Sequence, residues 1–402
     1  MHSRVAVTIA AGGLIAIGWT SFDDGTAAAE RVAQSKPTEL RYEVDPFWPR
    51  PLPNGWILGS VTGVAVDERD HVWIVHRGAA SLTARTENGL GTDPPTAEFC
   101  CRPAPPVLEF DPSGKVVGSW GGPGDGYDWP ESPGGIAVDA RGMVWIAAAG
   151  FPEATPRGGG GRGAQTSSPP PAPGPVDSHI LQFTRAGKFV RQIGKPGVTG
   201  DDASRTSLNR PAGLDIDSAA NEVYVADGHG NHRVVVFDAA TGGYKRHWGA
   251  YGGAPSDANR GPYDPAAPPP KQFRTVSCVT IAKDGMVYVC DRQNNRVQVF
   301  DKKGTFLKEA IVSRATRGNG AVWDIALSRD AAQRFLFVAD GTDQKVFILR
   351  RDTLAAAGDF GAGGRWPGHF YGVGSIAVDS RGNVYTGETF EGKRVQKFAP
   401  RP

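Results

Sequence analysis

The sequence predicts an all-β protein, a six-bladed β-propeller closed by an N-terminal strand. Two observations carry that prediction. The first is a recurring phrase: a small-apolar strand, a turn, a second apolar strand, then an exit to a third strand. It occurs at Gly63–Arg77, Gly134–Ala147, Ala212–Asp227, Cys278–Asp291, Asp324–Asp340 and Gly374–Glu388. Six copies that each form a hairpin plus outer strands cannot bury their apolar faces alone, so they stack into a ring. The second is the punctuation: 54 glycines and 32 prolines mark a chain of turns and loops.

Within each repeat the first strand is small and branched, as in Ile136-Ala137-Val138, which suits a crowded ring axis. Turns such as Asp379-Ser380-Arg381-Gly382-Asn383 supply positive-φ positions. The second strand is aromatic or aliphatic, as in Val144-Trp145-Ile146 and Val287-Tyr288-Val289. Third strands are read at Val107–Asp111, Ile180–Phe183, Val234–Asp238, Val297–Asp301, Val346–Leu349 and Val395–Phe398. Fourth strands follow most of them, but the last repeat runs out at Pro402. Glu39–Asp45 has no hairpin partner of its own and is expected to supply that missing strand, covering a sheet edge. Insertions at Gly78–Pro106, Pro156–Val176 and Ala250–Gln272 interrupt the pattern; the second is a Gly, Ser and Pro tract.

Residues 1–29 read as a signal peptide: Arg4, an apolar run from Val5 to Trp19, and Ala27-Ala28-Ala29 before Glu30. The propeller then occupies residues 30–402, in a periplasmic or secreted protein with no membrane span after cleavage. A formal charge of +2 gives no electrostatic reason for a nucleic-acid partner. Cys278 and Cys290 flank one hairpin turn symmetrically, which places them opposite each other for a disulfide. The adjacent Cys100 and Cys101 read first as a vicinal disulfide, with two separate thiols or a soft-metal pair as alternatives.

The exits NHRVVVFD (Asn231–Asp238) and NNRVQVFD (Asn294–Asp301), following Asp227 and Asp291, carry the pattern of NHL repeats. Across the mature chain the order of motifs resembles the peptidyl-hydroxyglycine amidating lyase family. That resemblance implies a secreted, disulfide-stapled, zinc-dependent propeller with structural calcium, cleaving a hydroxyglycine carbinolamide to a peptide amide and glyoxylate. It implies active-site arginines at Arg77 and Arg292, and places His229 where the family has a tyrosine. The family's zinc histidines fall on Gly134, Ser277 and Gly374, and its calcium aspartate on Ser375. The expectation is therefore no zinc cofactor, with structural calcium left open.

Residues just after each second strand should ring one axial mouth: Arg77, His229, Arg292, Asp340 and Glu388, with Asp227 and Asp291 beside them and His76 a further ligand-binding candidate. Guanidinium groups there would take a carboxylate in a bidentate pair. The alternative for the acidic members is a purely structural role in holding turns. A replacement metal set from His76, His229 and His232 is a further expectation to test. The functional reading is an exported propeller binding a peptide, a small carboxylate ligand or a protein partner at this mouth. The alternative is a lyase-like enzyme acting through Arg77, His229 and Arg292.

Overall fold

The computed structural model describes residues 40–83, 87–150, 176–256 and 261–401. The expected signal peptide and nearly all of the Gly/Pro tract lie outside the described residues. Those described form six four-stranded antiparallel sheets and one short parallel pair. Blade one is Val61–Val66, Val72–His76, Val107–Phe110 and Val116–Trp120; blade two is Pro133–Val138, Val144–Ala148, His179–Phe183 and Phe189–Gly194. Blade three is Gly213–Asp217, Glu222–Asp227, Arg233–Asp238 and Tyr244–Trp248; blade four is Val276–Ile281, Val287–Asp291, Arg296–Phe300 and Phe306–Ile311. Blade five is Asp324–Leu327, Phe335–Asp340, Lys345–Arg350 and Ala356–Phe360.

Blade six takes three strands from the C-terminal end, Val373–Val378, Val384–Glu388 and Arg394–Arg401, and its outermost strand, Arg41–Asp45, from the N-terminal end. Arg41 pairs with Arg401 and Asp45 with Lys397. First strands of successive blades pack side by side, and that of blade six returns against that of blade one. The core is divided accordingly. Six apolar clusters each straddle one blade boundary, so each blade's faces are buried only by its neighbours.

Blade-to-blade hydrogen bonds supplement this packing near the axis. The Asp215 carboxylate accepts from the Ile281 backbone N–H at 2.8 Å, and that of Asp324 from the Ile376 N–H at 2.9 Å. At the far mouth the Arg329 guanidinium donates to the Val378 carbonyl at 3.1 Å and the Val66 carbonyl at 2.8 Å. One side chain of blade five thus holds blades six and one, across the seam where the ring closes.

The opposite mouth, where second strands end, is fixed by buried acid–base pairs. Asp227 Oδ2 meets Arg233 Nε at 2.9 Å, and Asp291 Oδ2 meets Arg296 Nε at 2.8 Å, all four side chains fully buried. Removing the cation from such a pair strands a desolvated carboxylate. Arg296→Met is therefore expected to lower the unfolding free energy by ~3–5 kcal/mol, read by chemical denaturation.

Candidate functional site

The residue ending each second strand has the same task in four blades. His76 Nδ1 accepts the Gly59 N–H at 3.1 Å, Asp227 Oδ1 that of Asn209 at 2.9 Å, Asp291 Oδ1 that of Arg274 at 2.8 Å, and Glu388 Oε2 that of Tyr371 at 2.7 Å. Each donor lies in the segment leading into that blade's first strand. In blade two the position is Ala148, and Asp177 takes over, accepting from Ser132 N–H at 2.9 Å. These side chains tie the incoming segment to the hairpin. They face into their blades.

The next residue faces the other way, since successive strand side chains alternate. Arg77, Ala149, Arg292 and Thr389 all line an axial cavity of about 330 Å³. His229, two residues beyond Asp227, lines it too, with Arg210 and Thr275 from incoming segments and Trp323 and Phe390 on one wall. No Asp or Glu is among the described residues lining it, and neither is any described residue of the Gly78–Pro106 insertion. Three guanidiniums and one imidazole therefore converge on a small-walled space.

Of the expected site residues, the structure brings Arg77, His229 and Arg292 to the cavity and leaves His76, Asp340 and Glu388 out. His76 is fully buried, its Nδ1 accepting from Gly59 and Gly78 and its Nε2 lying 3.0 Å from the Pro105 carbonyl oxygen. Glu388 is consumed by Arg394 at 2.5 Å and by Gln396 at 2.8 Å. Asp340 accepts from the Thr342 and Asp343 N–H groups, both at 2.9 Å. Nor do the three histidines gather: His232 pairs with Asp202 at 3.1 Å and is not in the lining. Arg210 is the member that sequence reasoning missed. It follows Asn209 in the incoming segment, at the position that Thr275 holds in blade four and where no residue type recurs, at a left-handed φ of 54°.

Charge dominates the electrostatics. Burial pushes the Arg77 and Arg292 guanidiniums down to about 10 and lowers Arg210 as well. His229 is pushed down to about 3, first by burial and then by Arg292, with Arg210 and Arg77 adding to it. Its imidazole is neutral at pH 7. Its Nδ1 lies 3.4 Å from the Ala149 carbonyl oxygen, an acceptor, so the donor tautomer at Nδ1 leaves the lone pair on Nε2. Arg292 lies over the Trp323 ring at 4.7 Å, and its buried Nε has no hydrogen-bond partner.

Elsewhere, Asp67, His71 and Glu109 lie close enough to hold a cation, but guanidiniums already do that work. Arg185 of blade two bonds both carboxylates, with Asp67 at 2.5 Å, and Arg69 reaches Glu109 at 3.3 Å. Both expected disulfides are formed, Cys278 to Cys290 across the blade-four hairpin and Cys100 to Cys101 between neighbours. Disulfides of this kind suit an oxidising compartment. No helix among the described residues is long and apolar enough to cross a membrane.

Comparison with known proteins fits this geometry. Residues 208–237 and 273–300 match the NHL repeat family. Peptidyl-glycine alpha-amidating monooxygenase A of Xenopus laevis is 24% identical over 282 residues, covering 67% of this chain and 24% of that protein. The chain is a six-bladed propeller that carries NHL repeats and resembles the amidating lyases. NHL repeat-containing protein 3 of Mus musculus is 27% identical over 173 residues, 42% of this chain and 41% of that protein. The chain thus spans less than half the length of either relative. A solved structure titled "Streptogramin B lyase structure" superposes with a TM-score of 0.49 at 11% identity, over 90% of this chain and 98% of that one.

The zinc that the resemblance implies does not fit this donor set. Gly134, Ser277 and Gly374 all line the cavity, in alternate blades, and none offers an imidazole or carboxylate. A catalytic zinc takes about three protein ligands. The lining supplies one imidazole among three cations.

Asp340 gives a test of the scaffold reading. In blade five the repeat arginine is Lys345, whose Nζ turns to Asp359 at 2.7 Å, and burial pushes Asp340 up to about 8. The folded chain therefore keeps a proton that the unfolded chain releases near pH ~4. That contribution is complete below pH ~4 and declines as pH rises towards 8. Asp340→Asn should raise the thermal midpoint relative to the parent by an amount that grows from pH 4 to pH 8.

Proposed function

We propose that this chain is an exported propeller that holds a carboxylate-bearing ligand, a small acid or a peptide end, in its axial cavity. The observation that carries the reading is the lining: Arg77, Arg210 and Arg292 with no acidic side chain among the described residues. A guanidinium recognises a carboxylate through two parallel N–H···O bonds, and does so best where water is scarce. Arg292 is the anchor, because its buried Nε lacks a protein acceptor and its face is held against Trp323. Export is supported by the N-terminal apolar run and by the two disulfides. The activity of the amidating monooxygenase relative is not carried over through zinc, for which the ligands do not fit.

A second reading, a metal-free lyase-like enzyme, is favoured by His229 specifically. Its imidazole lines the cavity beside the arginines, and the burial and cations that keep it neutral leave it a hydrogen-bonding partner rather than a strong base. In that reading the arginines hold the carboxylate and the neutral His229 imidazole orients the reacting group by a hydrogen bond.

Calorimetry with a short peptide bearing a free C-terminus, and with its C-terminally amidated counterpart, separates carboxylate recognition from general peptide binding. The free acid should bind and the amide should not. Arg292→Gln should weaken the acid by ~10–100-fold, the range of a charge-assisted hydrogen bond. Affinity should hold from neutral to alkaline pH, because the guanidiniums stay charged, and fall as pH drops through ~4, where the ligand carboxylate takes up a proton. Equal binding of acid and amide would overturn the reading.

A further inference from the structure

The wall of the cavity beside Arg292 is aromatic. The Arg292 guanidinium stands 4.7 Å from the Trp323 ring centre, and Trp323 meets Phe390 edge to face at 5.9 Å and 89°. Trp323 is 7% exposed and fixed by its indole N–H, which donates to the Gly320 carbonyl at 2.8 Å. Phe390 is different. It lines the same cavity yet remains 40% exposed.

Its backbone is also unusual. Phe390 sits at a φ of 50°, in the left-handed region that bulky residues avoid. The conformation is held by its surroundings: the Ser60 hydroxyl donates to the Phe390 carbonyl at 2.7 Å, and the Thr389 N–H donates to Gly372 O at 2.8 Å. Glycine or asparagine would occupy this position at lower cost. The same exit position carries glycine in blades one and two, Gly78 at a φ of 51° and Gly150 at 38°. The conformation thus belongs to the frame, and what is particular to blade six is the ring it presents to the cavity.

We infer that the ligand of this cavity is an aromatic carboxylate, a molecule whose acid group meets Arg292 while its ring packs on Phe390, which Trp323 backs edge to face. This rests on the carboxylate reading above and narrows it. The Arg292 guanidinium covers the Trp323 ring and Phe390 meets that ring edge to face. Phe390 is therefore the aromatic surface left open beside the cation, and one ligand carrying both an acid and a ring engages the two. Plain aliphatic acids of the same charge satisfy the guanidinium but leave the aromatic wall wet. An aryl acid gains the ring contact in addition, worth about 2- to 12-fold from stacking geometry before area burial is counted.

The test compares phenylacetate with acetate by calorimetry on the full mature chain at pH 7, for the parent, Phe390→Gly and Arg292→Gln. The parent should bind phenylacetate at least ~10-fold tighter than acetate, including the case in which acetate gives no measurable heat. Phe390→Gly should remove most of that ratio while leaving the thermal midpoint unchanged or higher, because glycine relaxes the backbone. Arg292→Gln should weaken both acids. Equal affinities for the two acids in the parent, or a Phe390→Gly variant that keeps the ratio, would overturn the aromatic specificity and leave the carboxylate reading standing. If neither acid binds the parent, or Arg292→Gln binds as the parent does, both readings fall.

Discussion

The site depends on a buried acceptor at the end of the second strand in four of the six blades. Asp227, Asp291, Glu388 and, in blade one, His76 each capture a backbone N–H from the incoming segment. In three of these blades an arginine of the third strand completes the arrangement, and Arg233 goes on to bond the Asp202 carbonyl at 2.9 Å and that of Ser207 at 2.8 Å. Buried ion pairs of this type contribute little net stability, since desolvation offsets attraction. Their consequence is positional. They decide where the incoming segments lie, and those segments, with the residues just after the acceptors, form the cavity walls.

A single-residue step then separates scaffold from site. At the acceptor position the side chain points into the blade and must be satisfied there; one residue later it points to the axis. The blades share a backbone yet can differ freely at this second position. Arg77, Ala149, Arg292 and Thr389 occupy it around the lining. A sixfold-like frame thereby carries an asymmetric cluster: cations gathered over several blades, an aromatic wall at Trp323 and Phe390, and small residues at Gly134 and Gly374. The same asymmetry bears on zinc. The alternate-blade positions point at the cavity, but they carry no ligands, and cationic neighbours hold the lone imidazole neutral and repel a dication.

The repeat phrases made the blades, their strand order and the Cys278–Cys290 disulfide legible, because small-branched, turn and aromatic segments recur at strand spacing. Cys100–Cys101, in an insertion, was open among three readings until the structure linked them. Arg77, Arg292 and His229 were legible as departures from what the repeat requires. His76, Asp340 and Glu388 were misplaced for a stereochemical reason: proximity to the mouth in sequence does not reveal which way a strand's last side chain turns. Arg210 and Phe390 were not legible at all. Both owe their place to left-handed backbone in loops, at φ 54° and 50°, and no local pattern of residue types encodes that for arginine or phenylalanine.

The most direct measurement is anomalous diffraction from crystals soaked with 4-bromobenzoate, with data collected at the bromine edge. The account predicts one molecule in the axial cavity, its carboxylate on Arg292 and its bromine peak on the Trp323–Phe390 side. A bromine peak only outside the cavity, or a molecule lying with its carboxylate away from all three arginines, would contradict it.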